Sequence, residues 1–108
     1  TMNVGGLNVE EPVTVPGSFT VHQNYPNPFN PVTTLSYDLP EDALVNITIY
    51  DIMGQVVRTL VNTEQTAGFK SIQWNATNDA GQPVSAGPYL YTIQAGEYKL
   101  TKKMVLLK

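Results

Sequence analysis

The chain has no cysteine and one histidine among its 108 residues. The first absence excludes a disulfide framework and thiolate chemistry, yet leaves the compartment open, because an exported domain with an adequate core needs no disulfides. The second leaves His22 as the sole imidazole. A zinc site usually needs three or four nitrogen or sulfur ligands, and a serine nucleophile needs a base. Ser18, Ser36, Ser71 and Ser85 also lack the G-x-S-x-G context of a nucleophile elbow. Asp38, Glu41 and Asp42 gather around Pro40, but no second carboxylate group is spaced to face them for glycosidic chemistry. Positive charge is scarce too. Six Lys and Arg against nine Asp and Glu leave a net charge of −3, which offers nucleic acid no broad cationic surface. No run approaches the roughly 18 apolar residues of a membrane helix, and the first residues lack the basic-then-apolar pattern of a secretion signal. The expectation is a non-catalytic domain with no metal and no cofactor, whose export, if any, starts from a segment outside this chain.

What is present is alternation. Leu35, Tyr37 and Leu39 share one face of "VTTLSYDL", with Ser36 and Asp38 on the other. Val45, Ile47 and Ile49 do the same in "LVNITIYD", against Asn46, Thr48 and Tyr50. "QVVRTLV", "FKSIQWNA", "YLYTIQA" and "YKLTKKMVLL" continue the series, and "FTVH" is a shorter candidate. In "FKSIQWNA" the step from Phe69 to Ile72 is odd, so keeping Phe69 with Ile72 and Trp74 calls for a bulge or a late strand start. "DIMG" reads as a tight turn around Asp51 and Gly54, and Gly68, Gly81 and Gly87 punctuate later connections. Six or seven short strands predict an all-β antiparallel sandwich whose inner faces bury each other. Trp74, Tyr37, Tyr89 and Tyr91 supply much of the core, since each large ring buries about 150–250 Å²; packing is favoured for them over a sugar-stacking platform. Residues 1–18, with Gly5-Gly6, Pro12 and Pro16, read as a linker or expression remnant, and 19–108 as the domain.

Between "FTVH" and the next strand lies "QNYPNPFNP". Pro26, Pro28 and Pro31 fix φ and remove three amide donors, so the stretch does not pair as a central strand. Each also pushes its predecessor, Tyr25, Asn27 or Asn30, towards extended geometry. The expectation is a semi-rigid crossing with Tyr25 or Phe29 inserted between the sheets, favoured over a docking site for an aromatic-lined partner. "NATNDAGQPV" has Asn75, Asn78 and Asp79 near a glycine but lacks the order and terminal Glu of a calcium loop. An Asn/Asp-rich turn explains it.

From residue 23 onward, "NYPNPFNPVTTLSYDLPEDALVNITIYDIMGQVVRTL" and "AGFKSIQWNATNDAGQPVSAGPYLYTIQAGEYKLTKKMVLLK" resemble the C-terminal sorting domain of cargo proteins of the type IX secretion system. They are similar as well to the Ig-like domain of flagellar hook-capping proteins. The positions that carry the resemblance are Asn24, Pro26, Asn27, Pro28, Phe29 and Asn30, then Tyr50, Asp51, Gly54, Leu60 and Gly68. Trp74, Gly81, Gly87, Tyr89 and Tyr91 follow, with Lys103, Met104, Val105 and Leu106 at the end. Pro88 departs from the β-branched residue typical of its position, and Asn75 stands where the "WDGRD" form has Asp.

The resemblance implies an all-β, Ig-like antiparallel sandwich of about seven strands joined to an N-terminal cargo domain. The outer-membrane secretion machinery would read it, and the protein would pass through the periplasm to become secreted or held at the cell surface. Two other roles stand beside this one: an accessory module that stabilises or spaces a catalytic neighbour, with sugar binding as one form of it, and a hook-assembly domain. Four of the six cations, Lys99, Lys102, Lys103 and Lys108, fall in the last ten residues, which hold no carboxylate. The recognition strand expected on this reading is Lys102, Lys103, Met104, Val105, Leu106, Leu107 and Lys108, and a monomer or weak dimer is expected in dilute solution.

Overall fold

The computed structural model describes residues 15–107. Seven strands follow in order: β1 (Thr20–Val21), β2 (Thr33–Leu39), β3 (Ala43–Tyr50), β4 (Val56–Gln65), β5 (Gly68–Trp74), β6 (Gly87–Ala95) and β7 (Tyr98–Leu106). They form two antiparallel sheets, β1-β2-β5 and β4-β3-β6-β7, packed face to face as an Ig-like sandwich. The alternation explains why. Leu35, Tyr37 and Leu39 from one sheet meet Val45, Ile47, Ile49, Tyr91 and Ile93 from the other, and all are fully buried. Trp74, Met104 and Leu106 extend the same core.

Phe69 corrects the expectation for β5. The strand pairs with β2 without a break from Thr33↔Trp74 to Leu39↔Gly68, so neither a bulge nor a late start occurs. Phe69 therefore lies on the opposite face from Trp74, and it is exposed. The irregularities fall between β3 and β4, where the register shifts at Ile47/Thr48 and at Ile49/Tyr50.

Pro88 fits its strand through register. It pairs with Val105 of β7, whose N–H and C=O point away from β6 to other partners. The Pro88 nitrogen then points past the end of β3, whose last partner on β6 is Leu90, so no ladder bond is forfeited.

Two turns repeat one geometry at the same end of the sandwich. In "DIMGQ" the Asp51 carboxylate accepts from the amides of Met53 and Gln55 at 2.9 and 3.0 Å. In "NDAGQ" the Asn78 side-chain oxygen accepts from the amides of Ala80 and Gln82, both at 3.0 Å. Gly54 and Gly81, at φ 86° and 81°, close the turns by donating to Asp51 and Asn78. This Asx-type bonding accounts for the acidic and amide residues of both loops. Asn75 accepts from the Thr77 hydroxyl and Asp79 from the Thr59 amide. Among the described residues no three of His, Cys, Asp and Glu are grouped to hold a metal ion.

Candidate functional site

The proline motif and the last strand, 78 residues apart in sequence, are joined in space. Phe29 donates its amide to Val105 at 3.0 Å and accepts from Leu107 at 2.8 Å, forming a parallel bridge beside Leu106. Asn27 accepts the Val105 amide at 3.0 Å through its side-chain oxygen. Gln23 donates to the Lys103 carbonyl at 2.8 Å. The outer edge of β7 is thereby closed over 103–107 by a short, proline-flanked segment. An unpaired edge there would present a template for another chain.

Inside, the motif is anchored by one ring. Phe29 is buried and tilted against Trp74, with centroids 5.8 Å apart, and Trp74 meets Tyr89 edge-on at 5.6 Å. Trp74 donates its indole N–H to the Thr77 carbonyl, and Tyr89 its hydroxyl to the Ser85 carbonyl. Of the two rings offered for insertion Phe29 is the one used; Tyr25 is 80% exposed. Tyr25 instead pairs its backbone with Thr34 in both directions. The peptide bonds before Pro26, Pro28 and Pro31 are cis. Asn27, Pro28, Asn30 and Pro31 face solvent.

A buried polar network fixes the start of the motif. Asn24, nearly inaccessible, donates its side-chain amide to the Pro26 carbonyl and to the Thr33 hydroxyl at 3.1 and 2.9 Å. Thr33 donates onward to Pro26. Gln23 supplies the Asn24 side-chain oxygen with a donor at 2.6 Å. The Tyr91 hydroxyl accepts the Asn24 amide at 3.0 Å and donates to the His22 carbonyl at 2.8 Å. Each polar group is paired, as burial demands. Burial pushes the Tyr91 hydroxyl above its ordinary pKa, against the hydrogen bond from Asn24. Tyr89 is raised for the same reason and by the nearby Asp51 charge.

The residues of the expected recognition strand divide. Met104 and Leu106 are core, Val105 is half-buried on the outer face, and Lys103 and Leu107 are exposed. Lys108 lies outside the described residues, as does 1–14 of the expected leader. Asp51, Gly54 and Gly81 hold turns, while Trp74, Tyr89 and Tyr91 are core. Gly68 and Gly87 begin β5 and β6. His22 lies just after β1, half-exposed, bonded to Asp38 at 3.0 Å. Gln23 and His22 carry no local mark as partners of the motif, because they act through Lys103 and Tyr91 across the fold; Thr33 meets Asn24 and Pro26 where the motif turns back onto β2.

The arrangement can hold a strand in place. The sequence matches the family model of the FlgD Ig-like domain over residues 29–99. The chain belongs to that family. This FlgD Ig-like domain shares its fold with dimeric latent PorU from Porphyromonas gingivalis, at 23% identity and a TM-score of 0.65 over 87% of this chain and 10% of PorU. FlgD from P. aeruginosa matches at 25% identity and a TM-score of 0.58, over 68% of this chain and 60% of that one. The third is PorZ, an essential bacterial surface component of the type-IX secretion system of P. gingivalis, at 19% identity and a TM-score of 0.55 over 82% of this chain. The chain spans only 10% and 11% of the PorU and PorZ chains, so in those proteins the matching fold is one part of a much longer chain. No curated protein sequence matches it.

Proposed function

We propose that this FlgD Ig-like domain is the sorting and attachment domain of a larger exported protein, read by the outer-membrane secretion machinery and finally secreted or held at the cell surface. The observation that carries this reading is the joint. A sandwich whose proline motif clamps the last strand at 103–107 holds that strand in one register, with Lys103 and Leu107 outward. A display role asks for this. The shared fold with PorU and with the type-IX surface component PorZ supports it.

A second reading, a spacer between neighbours, is favoured by one observation. The chain enters beside Tyr98, where Phe19 stacks, and leaves past Leu106 at the far end of β7, which suits a module in a linear array.

The experiment fuses the intact domain to a reporter enzyme in a host with a type IX system. Removing 103–108 is a poor test, since it deletes the buried Met104 and Leu106 and unfolds the signal with the sandwich. Instead, the fusion is compared with reporter alone and with Lys99→Glu/Lys103→Glu, both on the outer face opposite Gln94 and Leu90. Export of the wild-type fusion, retention of the reporter alone and reduced export of the charge-reversed, still folded variant are expected. Equal export with and without the domain overturns the sorting reading in favour of the spacer.

A further inference from the structure

At the end of the sandwich opposite the joint, a groove of about 520 Å³ opens between the β2–β3 turn, the β6–β7 turn and Phe19. Its size lies in the range of ligand clefts, roughly 300–1,000 Å³. One wall is aromatic: Phe19 and Tyr98 stack with centroids 5.5 Å apart and planes 16° from parallel. Phe19 covers one face of Tyr98, whose residue is still 53% exposed, so the ring keeps surface for a second flat group. The charged residues lining the groove are Glu41, Asp42 and Glu97, with no Lys or Arg among them. Among the described residues the one ion pair is His22 with Asp38, so the three carboxylates meet no cation there. Asp42 uses one oxygen to accept the Ala67 amide at 2.9 Å. They are not grouped to hold a metal ion. An aromatic wall beside spread carboxylates matches a planar cation with several donors, because guanidinium stacks on rings and forks to carboxylates, which an ammonium does less well.

We infer that this groove takes an arginine side chain presented by the domain that precedes this one in the parent protein. The groove lies where the chain enters the sandwich, so a preceding domain would stand next to it. Residues 1–14 hold Glu10 and Glu11 and no Lys or Arg, so they do not supply the cation. A neighbour in the same chain meets the groove as an intramolecular partner, at an effective concentration of about millimolar for a short flexible connection, so a weak pocket is enough. The inference rests on the reading that the chain is one module of a larger protein, and its test does not use export.

The test is a titration of the full, isotope-labelled chain with the peptide acetyl-Gly-Arg-Gly-Arg-Gly-amide, followed by amide NMR. Saturable shifts are expected at Gly96, Glu97 and Tyr98, with none at the Phe29–Val105 joint. Glu41→Gln/Glu97→Gln should weaken binding about fivefold, the scale of exposed charge pairs. Tyr98→Leu should weaken it about threefold, as for an exposed cation–π contact. The lysine analogue should bind several-fold more weakly. No saturable shift at these amides by about 10 mM peptide, equal binding of the lysine analogue, or unchanged affinity in both variants overturns the inference. Both substitutions change exposed side chains, and preserved amide dispersion checks that the domain still folds.

Discussion

Tyr25 and Phe29 stand four residues apart in one proline-rich stretch and meet opposite fates, one nearly free in solvent and one sealed against Trp74. Composition does not separate them. What separates them is the backbone pairing of Phe29 with Val105 and Leu107, which turns its ring inward. Phe29→Ala should cost about 3–5 kcal/mol, the range for emptying a large aromatic site, whereas Tyr25→Ala should stay within about 0.5 kcal/mol. Urea unfolding of the two variants side by side checks this, and similar losses would show that Phe29 is no anchor. The hydroxyl of Tyr91 is a finer probe. Tyr91→Phe keeps the ring but leaves the buried Asn24 amide and the His22 carbonyl without their partner. A loss of about 1–3 kcal/mol is expected from the stranded groups, read from the denaturation midpoint at unchanged slope.

At the level of elements, the strands were legible and the joints were not. β2, β3 and β6 declare themselves because period-two alternation is a local property, and the structure buries Leu35, Ile47 and Tyr91 as the pattern requires. Phe69 misled because an apolar residue need not be inside; its odd spacing from Ile72 and Trp74 already put it on the other face. The bond from Asn27 to Val105 and the link from Asn24 to Tyr91 had no local signal, since those partners lie 78 and 67 residues away; the Asn24 bonds to Pro26 and Thr33 are local. The twin turns lie between these cases: each glycine was visible, but the shared bonding of Asp51 and Asn78 was not. They make a matched pair for measurement. A Cβ at Gly54 or Gly81 meets open space, so the cost of Gly54→Ala or Gly81→Ala comes from the left-handed backbone alone. Each should lose about 1–2 kcal/mol, and the two should agree. A loss near zero at either would mean that its turn relaxes to another shape.

Across the whole molecule, three buried tyrosines from both sheets titrate the sandwich as a unit. Burial raises Tyr91 and Tyr37, the latter opposed by its hydrogen bond to Gln65. Tyr89 is raised by burial and by Asp51. A phenol that holds its proton more tightly in the folded chain favours folding while both states are protonated. That stability is fully present below the unfolded value of 10.0 and is lost as pH rises through the higher folded values. Each tyrosine then contributes a slope of up to about 1.4 kcal/mol per pH unit. The urea midpoint should therefore change little with these groups between pH 7 and 9 and fall steeply above pH 10. The slope is assigned to a tyrosine by difference from the wild type. Tyr37→Phe removes a hydroxyl whose partner Gln65 is half-exposed and can turn to water, and it should flatten the alkaline fall. If Tyr37→Phe tracks the wild type to pH 11, the buried phenols do not control alkaline unfolding.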